Sequence, residues 1–420
     1  MRLSFLLLTT FALSLGSCGD CEPCDELPDS AIDHDGDGYS EDQGDCDDTD
    51  ATVFPHAEEV CADEIDQDCS GDPNDGQMDA DGDGYLDPAC TGGDDCDDSD
   101  PNVNPGAEDV CDGQDNDCDG YIDEDTLVVD LAGGGDYTSI QAAVDDARSG
   151  DILCVLPGTY QENVVFDGGE VQLVGLEGPE QTILDGGGLG STLVFQYGDS
   201  STVTGVTLTG GSGSLFDPNN DGSLDACGGG VFADASDPVM EDVVITGNAS
   251  SDGGGVYVNN GTLLLVDSQV SGNTATGYGG GMRLRHASDV ILDGTEVSAN
   301  TGGTGAGFSL YDSDLALIDS TVAGNVASAN GGGFYAGTDS IIEITSGSVR
   351  ENTAVGLGGG IRAYSARVLL AGAELTANVA TEGGGGVACK SADLSLTANI
   401  HDNDPDDVLC DGCTGCTDSP

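Results

Sequence analysis

The stretch Gly279-Gly280-Gly281-Met282-Arg283-Leu284-Arg285, continued by Val290-Ile291-Leu292 and closed by Asn300, is one copy of a unit that fills the second half of this 420-residue chain. A glycine triplet, or a near copy, ends at Gly230, Gly255, Gly281, Gly307, Gly333, Gly360 and Gly386, at intervals of 25, 26, 26, 26, 27 and 26 residues. Asparagine keeps nearly the same beat at Asn248, Asn273, Asn300, Asn325, Asn352, Asn378 and Asn403. A fixed period of this length means a repeat architecture, in which each unit buries its apolar face only by stacking on its neighbours.

After each triplet the residues alternate. Val231, Val256, Met282, Phe308, Phe334, Ile361 and Val387 come first, and Ala233, Val258, Leu284, Leu310, Ala336, Ala363 and Cys389 two positions later. Alternation with a period of two is the strand signature, one face in and one face out. Leucine-rich repeats are excluded by the missing leucine pattern, and propeller blades by the short period. The expectation is an all-β chain: a right-handed parallel β-helix of about ten coils over residues 126–405, with the asparagines stacked as a structural ladder. At ~4.8 Å per coil the stack would run roughly 50 Å.

Residues Gly133-Gly134-Gly135-Asp136-Tyr137-Thr138-Ser139-Ile140-Gln141-Ala142-Ala143-Val144, followed by Val155-Leu156-Pro157-Gly158-Thr159-Tyr160, resemble the opening of pectin-lyase-like β-helices. The triplet coils resemble the glycine-rich repeats of polymorphic outer-membrane proteins. By its own pattern, Ser139–Arg148 is one short helix, with Ser139 as N-cap, Ile140, Val144 and Ala147 on one face and Gly150 past its end. Such a helix would cap the exposed strand edges of the first coil.

Net charge is −71, with eight Lys and Arg in total and none between Leu3 and Ala147. Nucleic acid and anionic membrane surfaces are excluded as partners of the whole chain, and divalent cations are the natural ones. Arg2 followed by an apolar run to Leu15 reads as an export signal over residues 1–17. The sequence Leu15-Gly16-Ser17-Cys18 resembles a bacterial lipoprotein box, which implies lipidation of Cys18, a tether over 18–29 and anchoring in the cell envelope, outer membrane or cell surface. The lipid is then the only membrane contact. Of sixteen cysteines, fifteen lie beyond Cys18. In an oxidising compartment they imply disulfides of undetermined connectivity. The spacing Cys410, Cys413, Cys416 suggests a stapled cap over 406–420, with Cys389 as a candidate partner.

Residues 30–125 carry a tandem repeat in a small, loop-dominated, disulfide-rich domain. Asp33, Asp35, Asp37, Gly38 and Tyr39 recur as Asp79, Asp81, Asp83, Gly84 and Tyr85, with Asp87 at the ninth position. Asp115, Asp117, Asp119, Gly120 and Tyr121, with Asp123 ninth, repeat the spacing, and Asp66, Asp68 and Ser70 before Gly71 form a weaker copy. Carboxylates at positions 1, 3 and 5, a glycine at 6 and a carbonyl at 7 make a calcium loop. No glutamate stands at position 12, so the completing ligands must come from other loops. A further candidate, Asp217, Asn219, Asp221, Ser223 and Asp225, lies inside the β-helix. The segment around Gly44-Asp45-Cys46-Asp47-Asp48 recurs as Gly93-Asp94-Asp95-Cys96-Asp97-Asp98. With these motifs the region resembles the MopE-like family of metal-binding repeats, which implies copper as an alternative to Ca2+. Copper prefers imidazole or thioether, and this region offers His34, His56 and Met78 alone.

Between the inward residues of the triplet strands stand Phe232, Tyr257, Arg283, Ser309, Tyr335, Arg362 and Ala388, and two positions on Asp234, Asn259, Arg285, Tyr311, Gly337, Tyr364 and Lys390. Stacked, these columns predict a face of aromatic planes and guanidinium forks suited to an acidic polysaccharide or cell-surface glycan. Tyr257, Arg283, Arg285, Tyr311, Tyr335, Arg362 and Tyr364 are its candidate contacts. Taken together, the sequence reads as a non-catalytic, calcium-binding surface lipoprotein displaying a β-helix for adhesion. The alternatives are a carbohydrate-active polyuronate lyase or hydrolase, and acquisition of copper or another cation by the acidic region.

Overall fold

A computed structural model describes residues 28–57, 65–71, 79–88, 90, 93–107, 110–111, 114–120, 126–217 and 221–415. The chain forms two compact units, one ending at Ala107 and the other starting at Glu108.

The second unit is a parallel β-solenoid of about ten turns. Strands of the first ladder pair coil to coil: Val231–Asp234 with Val256–Asn259, then Met282–Asp293, Phe308–Ile318, Phe334–Ala336, Ile361–Tyr364, Val387–Lys390 and Val408–Asp411, with one register shift, between Arg285 and Ser288, where the two long strands meet. The two inward columns seen in the sequence are buried throughout and merge into one continuous apolar core. Phe308 stacks on Phe334 with ring centroids 5.0 Å apart, and Phe166 on Phe195 at 4.9 Å. These separations match the spacing of neighbouring strands, so each ring sits directly over its counterpart.

The triplets have two distinct jobs. Their first glycine lies in the left-handed region, as at Gly253 (φ +64°) and Gly279 (φ +66°), where a side chain is strained. The second and third are closed by proximity: a Cβ on Gly281 would stand 2.7 Å from the Gly307 carbonyl of the next coil. The asparagines form the expected ladder. Asn248 Nδ2 donates to Asn273 Oδ1 at 3.1 Å, and the contact repeats through Asn300, Asn325, Asn352 and Asn378 to Asn403. Each amide also donates to a strand carbonyl, as Asn300 to Val270 at 2.9 Å, so buried backbone oxygens at the corner are satisfied.

The capping helix spans Ile140–Asp146, ending short of the expected Arg148 because Ala147 turns extended (ψ 148°). Ser139 accepts from Ala142 N as N-cap, and the Glu162 carboxylate takes the free N–H groups of Ile140 and Gln141 at 3.0 Å each. Ile140 and Ala143 plug the first coil. At the other end Cys389 is joined to Cys413.

The first unit has almost no apolar core. Among its described residues only Val53, Cys90 and Val103 are buried hydrophobics. Cys46 is bonded to Cys69, and Cys90 and Cys96 are also in disulfides. In the second unit Cys118 is disulfide-bonded too, and Cys111 is linked to Cys154, within the strand Ile152–Val155. The last acidic loop is therefore tied covalently to the first coils of the solenoid.

Candidate metal centres and the solenoid face

Each acidic loop is built by its own carboxylates. Asp33 accepts from Gly36 N (2.6 Å) and Gly38 N (3.1 Å), Asp35 from Asp37 N (3.2 Å), and Asp37 from Tyr39 N (2.8 Å). The second copy repeats this bond for bond through Asp79, Asp81, Asp83 and Tyr85. Gly36 and Gly38 hold positive φ, which lets the loop wrap around its own centre. The other two copies keep part of the scheme: in the weaker one Asp66 and Asp68 accept from Ser70 N, and in the third full copy Asp115 and Asp117 accept from Asp119 N. Tyr121 and Asp123 lie outside the described residues, as do Asn219 and Cys18.

Carboxylate oxygens of Asp33, Asp35 and Asp37 lie within 4.8 Å of one another, as do those of Asp79, Asp81 and Asp83, and of Asp115, Asp117 and Asp119. A further group joins Asp35 to Asp45 and Asp48. Asp45 is 5% exposed and its counterpart Asp95 is fully buried. Each spends Oδ1 on a local turn, accepting from Asp47 N and Asp97 N at 2.9 Å. The buried Oδ2 atoms of Asp35, Asp37 and Asp45, and of Asp81, Asp83 and Asp95, have no hydrogen-bond partner.

Buried anionic oxygens without a donor are costly, and a cation is the group that satisfies them. Burial pushes the carboxyls of Asp35, Asp81 and Asp95 above the usual range, with neighbouring aspartates adding to the effect. The donor set is all oxygen and suits a hard metal ion. The one imidazole at these groups is engaged by carboxylates among the described residues: His34 bonds Asp48 through Nδ1, and its Nε2 lies 3.4 Å from Asp29. That contact holds Asp48 below its usual range and raises His34.

Asp45 and Asp95 escaped the sequence reading because their offsets differ, twelve residues after Asp33 but sixteen after Asp79. The signal that could have found them is the shared Asp-Cys step at Cys46 and Cys96. Asp87, read as a ninth-position ligand, is half-buried and, among the described residues, outside the clustered groups.

The solenoid face departs from expectation over its first half. The candidate columns are in register, but Tyr257 is completely buried, Phe232 and Arg283 are each 6% exposed, and Ser309 is buried. Over Phe232 and Tyr257 the cause is a hairpin of Ser214–Phe216 and Asp225–Cys227, antiparallel to each other, while the Arg283 side chain bonds Ser309. The hairpin's Phe216 packs on Phe232 (5.3 Å) and Tyr257 (6.1 Å), making a second small core with Cys227. Tyr257 therefore offers no surface to a ligand. In the hairpin loop Asp217 accepts from Asp221 N and Gly222 N, and Asp221 from Ser223 N, whereas Asp225 lies in the strand.

Beyond the hairpin the face opens. Tyr311 and Tyr364 are exposed, and Arg285, Tyr335 and Arg362 are half-buried. Arg285 sits over the Tyr311 ring at 5.7 Å. Between hairpin and face a cavity of about 490 Å3 is lined by Asp225, Asp252, Tyr278, Arg283 and Arg285. Burial lowers the Arg283 guanidinium and raises the Asp252 carboxyl.

The class these features define is a right-handed parallel β-helix protein carrying acidic metal-binding repeats. Residues 192–378 match the family model for the right handed beta helix region. Residues 45–75 and 95–124 match the model for the MopE-type, Cu-binding metal-binding motif, its two segments opening on Asp45 and Asp95. No curated protein matches the chain. Similar solved structures include the pectin methylesterase from carrot, at 11% identity over 70% of this chain and 84% of that one, with a TM-score of 0.38. The deglycosylated pectin methylesterase from Aspergillus niger gives 16% identity over 71% and 92%, with a TM-score of 0.36. Scores this low carry no argument about activity.

Proposed function

We propose that this protein is a calcium-loaded, exported lipoprotein, anchored through Cys18, that presents its β-helix face to an acidic glycan or a neighbouring surface without catalysis. The observation that carries the cation reading is the pair of matched sets of buried, unpartnered Oδ2 atoms, at Asp35, Asp37 and Asp45 and at Asp81, Asp83 and Asp95. Calcium is the ion favoured by flexible loops with many carboxylate oxygens, and Mg2+ would demand a stricter octahedron. The fully oxygen-bearing clusters and the engagement of His34 by carboxylates weigh against copper acquisition.

The glycan reading rests on the open part of the face, where Tyr311, Tyr335, Arg362 and Tyr364 combine ring planes with a charged fork in a chain otherwise poor in cations. The test is calorimetric titration of the chelator-stripped protein with Ca2+, Mg2+ and Cu2+. Tight Ca2+ binding that falls in Asp45→Asn and Asp95→Asn is expected; preferential Cu2+ uptake with no Ca2+ response would overturn the reading. Co-elution with intact polyuronate in calcium tests the face, and shortening of the polymer would instead make this an enzyme. Labelling by fatty acid that is lost in Cys18→Ala tests the anchor.

A further inference from the structure

Arg283 is a charged side chain 6% exposed. Its Nη1 donates to Ser309 Oγ, and its guanidinium lies 4.7 Å from the centroid of the Tyr278 ring. Among the described residues no carboxylate comes within ion-pair distance of it, and its Nε has no hydrogen-bond partner. A guanidinium keeps its charge even when buried, and a buried charge without a counter-ion is strongly unfavourable. The chain has 79 acidic residues, yet among the described residues none pairs with this cation at the wall of a cavity.

The rest of the cavity says what is missing. Arg285 adds a second cation on the same strand. Asp252, itself 9% exposed, uses Oδ1 to accept from Tyr278 N at 2.9 Å, and Asp225 lies on the hairpin side. Ionised carboxylates only accept, so these two walls call for hydroxyl donors. Tyr278, 45% exposed at the rim, offers a ring face. Hydrogen phosphate carries more negative charge than a single carboxylate and fewer hydroxyls than a sugar, so the two aspartates disfavour it. The cavity volume lies in the range of small-molecule sites.

We infer that this pocket binds one sugar-sized hydroxy acid, with its carboxylate on Arg283 and Arg285, its hydroxyls on Asp225 and Asp252, and its ring against Tyr278. The inference deepens the glycan part of the function proposed above by locating a single acidic unit in a pocket, and it is independent of the cation loops. The acid is equally a free sugar acid or the end of a chain, since both present the same groups.

The test is calorimetric titration of the full chain, calcium present, with D-glucuronate, D-glucose, phosphate and L-alanine. D-glucuronate should bind, and D-glucose at least about tenfold more weakly, the loss expected for a charge-assisted pair. Arg283→Gln should cost about tenfold or more, and Tyr278→Ala several-fold. If Arg283→Gln loses its β circular dichroism, Tyr278→Ala and Asp252→Asn, which leave the core columns intact, decide the matter. No D-glucuronate binding, equal binding of D-glucose, or preferential binding of phosphate or L-alanine overturns the assignment. Polyuronate co-elution that fails while D-glucuronate binds would defeat the extended-face reading alone, and the reverse would defeat the pocket alone.

Discussion

In the solenoid, Asn300 sits between Asn273 and Asn325, giving and taking amide hydrogen bonds with neutral neighbours that repeat the same bargain one coil on. In the first acidic unit, Asp79 does the corresponding work for Gly82 and Gly84, but with a charged acceptor and no apolar core beneath it. Both regions face the same requirement, that buried polar groups be satisfied. The ladder closes it internally. The aspartate loops satisfy their backbone N–H groups and leave buried oxygens over, so on the proposed reading their stability depends on a cation as well as on disulfides.

The largest test of this contrast is chelation. Removing the cation should raise hydrogen exchange at the loop amides of Gly36, Gly38, Gly82 and Gly84 by about 100-fold, the protection lost when a ligand at 100 times its Kd is withdrawn, or ~2.7 kcal/mol. Amides of the strands from Val256 to Lys390 should not change; if they exchange in parallel, the two regions are one cooperative body and the contrast breaks. Next in size is Phe308→Ala, which removes one ring from the stack with Phe334 and should cost about 3–5 kcal/mol in denaturant unfolding of the solenoid. Asn300→Ala strands the amide of Asn273 and the oxygen of Asn325 and should cost about 2–3 kcal/mol. Neither should alter cation affinity.

A smaller effect sharpens the hairpin's place in the comparison. Cys227, the last residue of its second strand, is free and buried, and burial pushes its thiol up to about 12. Alkylation at pH 8 should be negligible in the folded protein and complete after unfolding; ready labelling would show that the hairpin opens. The smallest is at the last coil. The hydrogen bond to Asp402, and then that to Glu374, raises His401 above its usual value. A raised histidine stabilises the folded state fully below its unfolded value near pH 6.5, and that contribution is lost as pH rises through the higher folded value. The solenoid should therefore gain slightly on going from pH 8 to 6, as read by thermal melts, and His401→Gln should flatten that slope.

Much of this architecture was legible because its causes are periodic. A glycine is needed wherever coil meets coil, and an apolar residue wherever a strand points inward, so Gly281 and Met282 announce their places without a structure. The loops were legible for a similar reason: positions 1, 3 and 5 around a tight turn are local. What was not legible depends on segments distant in sequence or irregular in offset. Asp45 and Asp95 reach their loops across insertions of unequal length. Cys111 could have paired within its repeat and instead reaches Cys154. Tyr257 follows the outward rule of its strand, and only the hairpin carrying Phe216 makes that direction an interior one.

The sequence by itself determined the coil, its register, its asparagine corner and the acidic loops, because each follows from neighbours within one repeat. The tertiary structure alone decided which outward residues see solvent, which buried carboxylates gather beside the acidic loops, and where an arginine is buried with no ion-pair partner among the described residues. Those outcomes turn on burial, and burial is set by whatever else folds over a residue.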